Sequence, residues 1–274
     1  MNLSKSLIIA SLSMALMAVA QSAFAECYIA DKDVQGDYTG DCKNGLAEGY
    51  GVSIGKDKYE GYFHKGKLNG KGKYIWANGS VYEGDWLNGK EHGKGKLIYL
   101  KGNIYEGDWL NGEPHGQGKY TWGQGEWEGN IYEGDWLNGQ RTGKGKHTWN
   151  KGPWQGDVYE GDWLNNNQHG KGTYTWASGD VYQGDWLNGR QHGKGKKIWA
   201  SGSFYQGSWE NGLRNGYGVL TLAKDDETIA SWESVHHGHW QGDVYIVQGI
   251  FKNAMLEIAC SSPKECKQKQ KSIN

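Results

Sequence analysis

The chain has 274 residues, with 30 basic against 31 acidic side chains and a formal net charge of −1, a balance that excludes long-range attraction to nucleic acid or to an anionic membrane. Its 45 Gly and only 3 Pro exclude collagen, which needs a strict three-residue period and abundant proline. With 36% hydrophobic residues but 15 Trp and 17 Tyr, any core it builds is aromatic rather than aliphatic.

Residues 1–25 read as a secretory signal peptide. Lys5 gives a basic start, 7–20 is an apolar run broken only by Ser11 and Ser13, and Ala23-Phe24-Ala25 is a small-x-small cleavage site. A membrane anchor needs about 20 apolar residues, more than this stretch supplies. Glu26 directly before Cys27 argues against a lipoprotein. Loss of Lys5 with the signal leaves 29 basic against 31 acidic residues, a net charge of −2. The expectation is an exported chain, periplasmic or secreted, whose even cysteine count favours disulfides.

After a leader at 26–37 that reads as an N-terminal cap, one sentence is repeated eight times: Tyr-Glu-Gly-Asp-Trp-Leu-Asn-Gly, a few polar residues, Gly-x-Gly and a short strand. Copies open at Tyr38, Tyr59, Tyr82, Tyr105, Tyr132, Tyr159, Tyr182 and Tyr205, in steps of 21, 23, 23, 27, 27, 23 and 23 residues. A fixed period of this size signals a stacked array in which each unit touches mainly its neighbours. Within a copy, Tyr82, Gly84 and Trp86 alternate with Glu83 and Asp85, the period of a strand. Asn88-Gly89 is a turn signal, because both residues tolerate positive φ. Gly93 and Gly95 then lead a second strand, so each copy predicts a β-hairpin and the array an antiparallel meander.

The two faces differ. One carries Tyr and Trp beside Gly84, Gly93 and Gly95, where glycine implies close approach of a ring. The other sets acids of the first strand, such as Glu83 and Asp85, against bases of the second, such as Lys94 and Lys96, in cross-strand pairs. The end copies break the charge rule with Tyr50 and Val52 at one end and Tyr217 and Val219 at the other. Such outward apolar residues imply a cover, for which the leader 26–37 and the stretch 223–256 are candidates. Residues 223–259 read as a degenerate copy and C-terminal cap, and 260–274 as a polar, Lys-rich tail. Cys27 with Cys42 and Cys260 with Cys266 are expected to pair locally, because an array of such hairpins would hold its ends on the order of 70 Å apart.

The unit resembles the membrane occupation and recognition nexus (MORN) repeat, Tyr-Glu-Gly-x-Trp-x-Asn-Gly-x-x-x-Gly-x-Gly followed by a Tyr-rich strand, over about 38–222. The match is tightest from Tyr82 to Trp209; in the first copy Cys42 takes the Trp place. The resemblance implies an all-β, elongated, twisted, single-layer sheet with an aromatic groove. It also implies scaffolding roles in which such arrays bind proteins and sometimes lipids. The kinase or methyltransferase domain that often accompanies MORN arrays is not present in the chain.

No catalytic group recurs inside the unit, and no cofactor or metal is expected. His92, His115, His169 and His192 recur at one position, but equivalent positions lie two strands apart, about 9–10 Å, too far for routine joint ligation; they read as polar turn residues. His236-His237-Gly238-His239 has imidazoles suited to zinc or copper but lacks a clear fourth ligand. Acid pairs such as Glu83 and Asp85 sit beside lysines in most copies, which fits ion-pair ladders better than glycosidase carboxylates. The functional expectation is therefore a non-enzymatic scaffold that offers an aromatic groove to another envelope or host protein. The alternative is a carbohydrate or cell-wall module that stacks sugars on Trp and Tyr. Candidate binding residues are the recurrent Trp86, Trp109, Trp136, Trp163 and Trp186, with Trp127 and Trp154 in the two enlarged copies, where insertions often mark a binding face.

Overall fold

The computed structural model describes residues 27–221 and 223, and the backbone alone of 235–241, 244–251 and 254–260. The signal-peptide segment and Cys266 lie outside the described residues, as do the side chains of Cys260 and the 236–239 histidine cluster. No helix occurs among the described residues. The first eight strands are β1 (Asp37–Lys43), β2 (Leu46–Ile54), β3 (Lys58–His64), β4 (Lys67–Ile75), β5 (Val81–Leu87), β6 (Lys90–Ile98), β7 (Ile104–Leu110) and β8 (Glu113–Thr121). The next eight are β9 (Ile131–Leu137), β10 (Gln140–Thr148), β11 (Val158–Leu164), β12 (Asn167–Thr175), β13 (Val181–Leu187), β14 (Arg190–Ile198), β15 (Phe204–Glu210) and β16 (Leu213–Thr221). Then come β17 (Val235–Gln241), β18 (Val244–Phe251) and β19 (Ala254–Cys260). Each strand pairs antiparallel with the next in sequence, so one open meander runs from β1 to β19.

The hairpin turns form as the Asn-Gly pairs predict: Asn88 has φ 53° and Gly89 φ 84°. One glycine from every strand of β1–β17 then falls into register with the next, from Gly40 through Gly84 and Gly95 to Gly238. This seam crosses the sheet at right angles to its strands. On one side the repeat tyrosines lie against it. A Cβ on Gly84 would collide with the Gly95 backbone and the Tyr82 hydroxyl, and a Cβ on Gly95 with the Tyr82 ring. Gly93 serves another purpose. It adopts φ 55° in a bulge that leaves Gly93 and Lys94 unmatched between the Asp85–His92 and Gly84–Gly95 pairs. The Asp85 carboxylate closes this bulge by accepting from the Lys94 N–H at 3.0 Å.

The core is a zipper of rings. Tyr82 meets Trp86 of its own copy edge-on at 5.1 Å and Trp109 of the next at 5.2 Å; Tyr105 repeats this with Trp109 and Trp136, and the pattern runs on to Tyr205 with Trp209. Edge-to-face pairs satisfy the ring quadrupoles and add about 0.5–1.5 kcal/mol each beyond burial. Every indole N–H in the zipper also donates to a seam carbonyl one copy back, as Trp109 does to Gly95 at 3.1 Å and Trp136 to Gly118 at 3.0 Å. Rings of a single sheet thus obtain both packing and a polar partner.

The leader binds the ring side and not the outward apolar pair. Cys27 is disulfide-bonded to Cys42 in the vacant Trp place, Ala30 N–H donates to Gly66, and Ile29 and Val34 are buried with Tyr59, Phe63 and Leu68. Ser53 Oγ closes the contact on the Val34 carbonyl at 2.6 Å. Tyr50 remains more than half exposed, which corrects the expectation that the leader covers the outer face, while the side chains of 224–256, the cover expected at the other end, lie outside the described residues. The reason is energetic. The ring side offers the leader a deep apolar surface, whereas the outer face offers only isolated side chains among charges.

Candidate functional site

The charged face shows two shallow troughs above the glycine seam, of about 940 and 820 Å3, walled by side chains such as Lys71, Lys96, Lys144 and Glu160. Their walls are largely self-compensated. Lys71 pairs with Asp85 at 2.7 Å, Lys94 with Asp108 at 2.6 Å and Lys144 with Asp162 at 2.5 Å, each joining one hairpin to the next rather than the strands of a single hairpin. Burial alone would raise the Asp85 carboxyl, but Lys71 and the Lys94 N–H outweigh it and hold the carboxyl below its usual range. A face whose charges already answer one another offers little to a ligand.

The ring face is less complete. Trp86, Trp109, Trp136, Trp163 and Trp186 are only 4–8% exposed, so the five recurrent candidates are core rings with almost no surface for a partner. The outer rows of this face remain partly open at Trp122, Trp149 and Trp176. The two enlarged turns converge there. Trp127 stacks on Trp154 with centroids 5.3 Å apart and planes 12° from parallel, and Trp154 stays 49% exposed. Beside this pair lies a depression of about 410 Å3 bordered by Trp149, Trp154, Tyr174, Trp176, Gln168 and Arg190.

The turns holding these rings are themselves fixed by a device that sequence reasoning missed. The residue two before each repeat Tyr from the second copy on is Asp57, Ser80, Asn103, Asn130, Asp157, Asp180 or Ser203. Each accepts a backbone N–H twenty residues later, in the following turn, as Asn130 does from Asn150 at 2.8 Å and Asp157 from Ala177 at 2.8 Å. The constant small oxygen-bearing side chain was the available signal. Its partner belongs to the next copy, which no single repeat reveals.

The fifth copy departs most from its neighbours. His147 occupies the place held by Tyr120 and Tyr174 and lies parallel between Trp122, at 4.9 Å, and Trp149, at 4.1 Å. Arg141 reaches across neighbouring rings, with its guanidinium carbon 4.6 Å from the Trp163 centroid, 5.4 Å from that of Tyr132 and 5.8 Å from that of Trp122. Burial, reinforced by Arg141, pushes His147 down to about 3, so it is neutral at ordinary pH.

His92, His115, His169 and His192 sit in strands, not turns, each facing an Asp across the hairpin, as His92 faces Asp85. Their Nδ1 atoms are buried without hydrogen-bond partners. Among the described residues no group of three or more His, Cys, Asp or Glu side chains is placed to hold a metal.

Comparison with known proteins agrees with the repeat. The MORN repeat pattern matches residues 38–58, 59–81, 82–104, 105–127, 132–153, 159–181, 182–204 and 205–227. No curated protein matches the chain. Among solved structures it is similar to the TCP domain of SAS-4 (dCPAP) in complex with a proline-rich motif of Ana2 (dSTIL) of Drosophila melanogaster, with 14% identity over 63% of this chain and 85% of that one, at a TM-score of 0.36. The TCP10 domain of Danio rerio CPAP in complex with a STIL peptide shows 11% identity over 65% of this chain and 73% of that one, again at 0.36. At these scores the likeness carries no argument about function.

Proposed function

Because the chain belongs to the MORN repeat family, we propose that it is a non-enzymatic, exported scaffold that offers the ring face of its sheet to another protein of the cell envelope or of a host. The supporting observation is the Trp127–Trp154 stack. The repeat does not need these rings for its core, and one of them stands half exposed over an aromatic depression in the middle of the array. Exposed aromatic patches rimmed by polar groups are where partners dock, and Trp is the type most enriched among residues that dominate binding. Export is supported by the basic start, apolar run and Ala-x-Ala site of 1–25, and by the Cys27–Cys42 bond, which an oxidising compartment preserves. A glycan-binding reading draws on the same Trp154 platform, with the Gln168 and Gln191 amides as hydroxyl partners.

The test is the double substitution Trp127→Ala with Trp154→Ala, assayed for melting temperature and for recovery of partners from envelope extract and from immobilised cell-wall glycan. Loss of a protein partner at unchanged melting temperature supports the scaffold. Loss of glycan retention alone supports the alternative. If recovery is unchanged, or falls only together with stability, the stack is not a docking site.

A further inference from the structure

Basic side chains gather on the ring side of β9–β16. Arg141, Arg190 and Lys197 border or overlie its rings. The two carboxylates bonded to groove residues, Asp157 and Asp180, are already engaged by the Ala177 and Ala200 N–H groups and by Tyr174 and Lys197.

Arg141 is the sharpest case. A guanidinium carries five N–H donors. Arg141 commits Nε to Asn166 Oδ1 at 3.4 Å, Nη2 to the Asn166 carbonyl at 2.9 Å and Nη1 to His147 Nδ1 at 3.3 Å. One N–H on each terminal nitrogen is left over, and no ion-pair partner stands beside it among the described residues. The neighbouring His147, more than nine-tenths buried, has an Nε2 that also lacks a partner. The arrangement is specific to this copy. Other copies put Ala47, Leu68, Glu91, Pro114, Gln168, Gln191 or Arg214 in the Arg141 place, and only here does an asparagine, Asn166 at φ 68°, replace the turn glycine and present a carbonyl to the guanidinium.

We propose that Arg141 anchors an extended acidic peptide in the groove, with an Asp or Glu carboxylate of that peptide bonded side by side to the two idle N–H donors. The fork geometry matches a planar two-oxygen anion, and the surrounding rings exclude water and strengthen the pair. Beyond the buried His147, Trp149 and Trp154 border the depression, where Trp154 receives an apolar residue of the same peptide, while Arg190 favours a further acid. An acidic polysaccharide also carries carboxylates, but it has no apolar side chain to fill the depression beside Trp154. The inference rests on the groove reading above and adds the chemistry of the partner.

Short random peptides displayed on phage would be selected on the full protein and on its Arg141→Met and Arg141→Lys variants, each first checked for melting temperature. Winners would then be synthesised with Asp and Glu, and again with Asn and Gln in their place. The expected wild-type winners carry an acid at a fixed distance from an apolar residue and bind about tenfold more weakly in amide form. Both variants lose that preference, and Arg141→Lys decides the matter if Arg141→Met does not fold, since it keeps the charge and loses the fork. Winners that bind equally well in acid and amide form overturn the anchor, and the groove reading survives if Trp127→Ala with Trp154→Ala still weakens them. A selection without binders, or with binders indifferent to all of these substitutions, overturns both. Binding of oligogalacturonate in place of peptides overturns the peptide assignment.

Discussion

The hydroxyl of Tyr159 donates to the Asp162 carbonyl 2.9 Å away and thereby pins its ring across Gly161 and Gly172. A Cβ on Gly161 would strike the Gly172 Cα, the Lys171 carbonyl and the Tyr159 hydroxyl, two of them backbone atoms that cannot step aside. Gly161→Val is therefore expected to cost at least about 1–3 kcal/mol, whereas the neighbouring Glu160→Val, on the solvent side, stays within about 0.5 kcal/mol. Thermal melting of the two variants decides this. Equal shifts would mean that the faces are assigned the wrong way round.

Two tryptophans of similar repeat context should respond in opposite ways. Trp136 is buried between Tyr105 and Tyr132 and bonded to Gly118, so Trp136→Ala should cost about 3–5 kcal/mol. Trp154, half exposed, should cost under about 1 kcal/mol when truncated. Denaturant titration of both variants tests the distinction between core ring and open ring.

The bulge cap separates hydrogen bonding from charge. Asp162 accepts from the Lys171 N–H at 2.8 Å and pairs with the exposed Lys144. Asp162→Asn keeps an oxygen for the N–H and loses only a solvent-screened ion pair, so it should cost under about 1 kcal/mol. Asp162→Ala leaves the bulge N–H uncapped and should cost about 1–2 kcal/mol. Matching losses in urea unfolding would show that the ion pair, not the cap, matters.

His147 should make the array sensitive to acid. Its folded pKa of about 3 lies below the ordinary value of 6.5. As pH falls through that window the unfolded chain takes up the proton first, so stability declines by up to about 1.4 kcal/mol per pH unit until the folded value is reached. Replacing it with the residue found in neighbouring copies, His147→Tyr, removes this contribution. The variant should then gain stability relative to wild type from pH 7 to pH 4, and parallel pH profiles would contradict a buried neutral imidazole.

Sequence and structure agree where the determinant is local. Alternation of Tyr82, Gly84 and Trp86 gives the face of each, and Asn88-Gly89 gives the turn, because both depend on adjacent residues. The Cys27–Cys42 bond follows from proximity along the chain. What escaped notice depends on a neighbour one copy away. Gly93 and Gly95 look alike in the text, yet one forms a left-handed bulge and the other bears a ring, a difference set by pairing with Asp85 and Gly84. Ile29 and Val34 mark the leader as apolar without saying which face it meets. The recurrent tryptophans were legible as aromatic positions but not as closed ones, since closure comes from the Tyr of the preceding copy. The Trp127–Trp154 contact was legible as a pairing because both rings sit in insertions of equal length.

A meander in which each strand grips only its sequence neighbours has a mechanical consequence. Tension applied along the array would load its hydrogen bonds end-on and one ladder at a time, instead of shearing many together. The strands of β1–β16 would pay out singly, like line from a spool, each released hairpin costing one rung of the Tyr–Trp zipper and leaving the remaining copies intact. Such a chain yields gradually under load and rewinds from whatever remains.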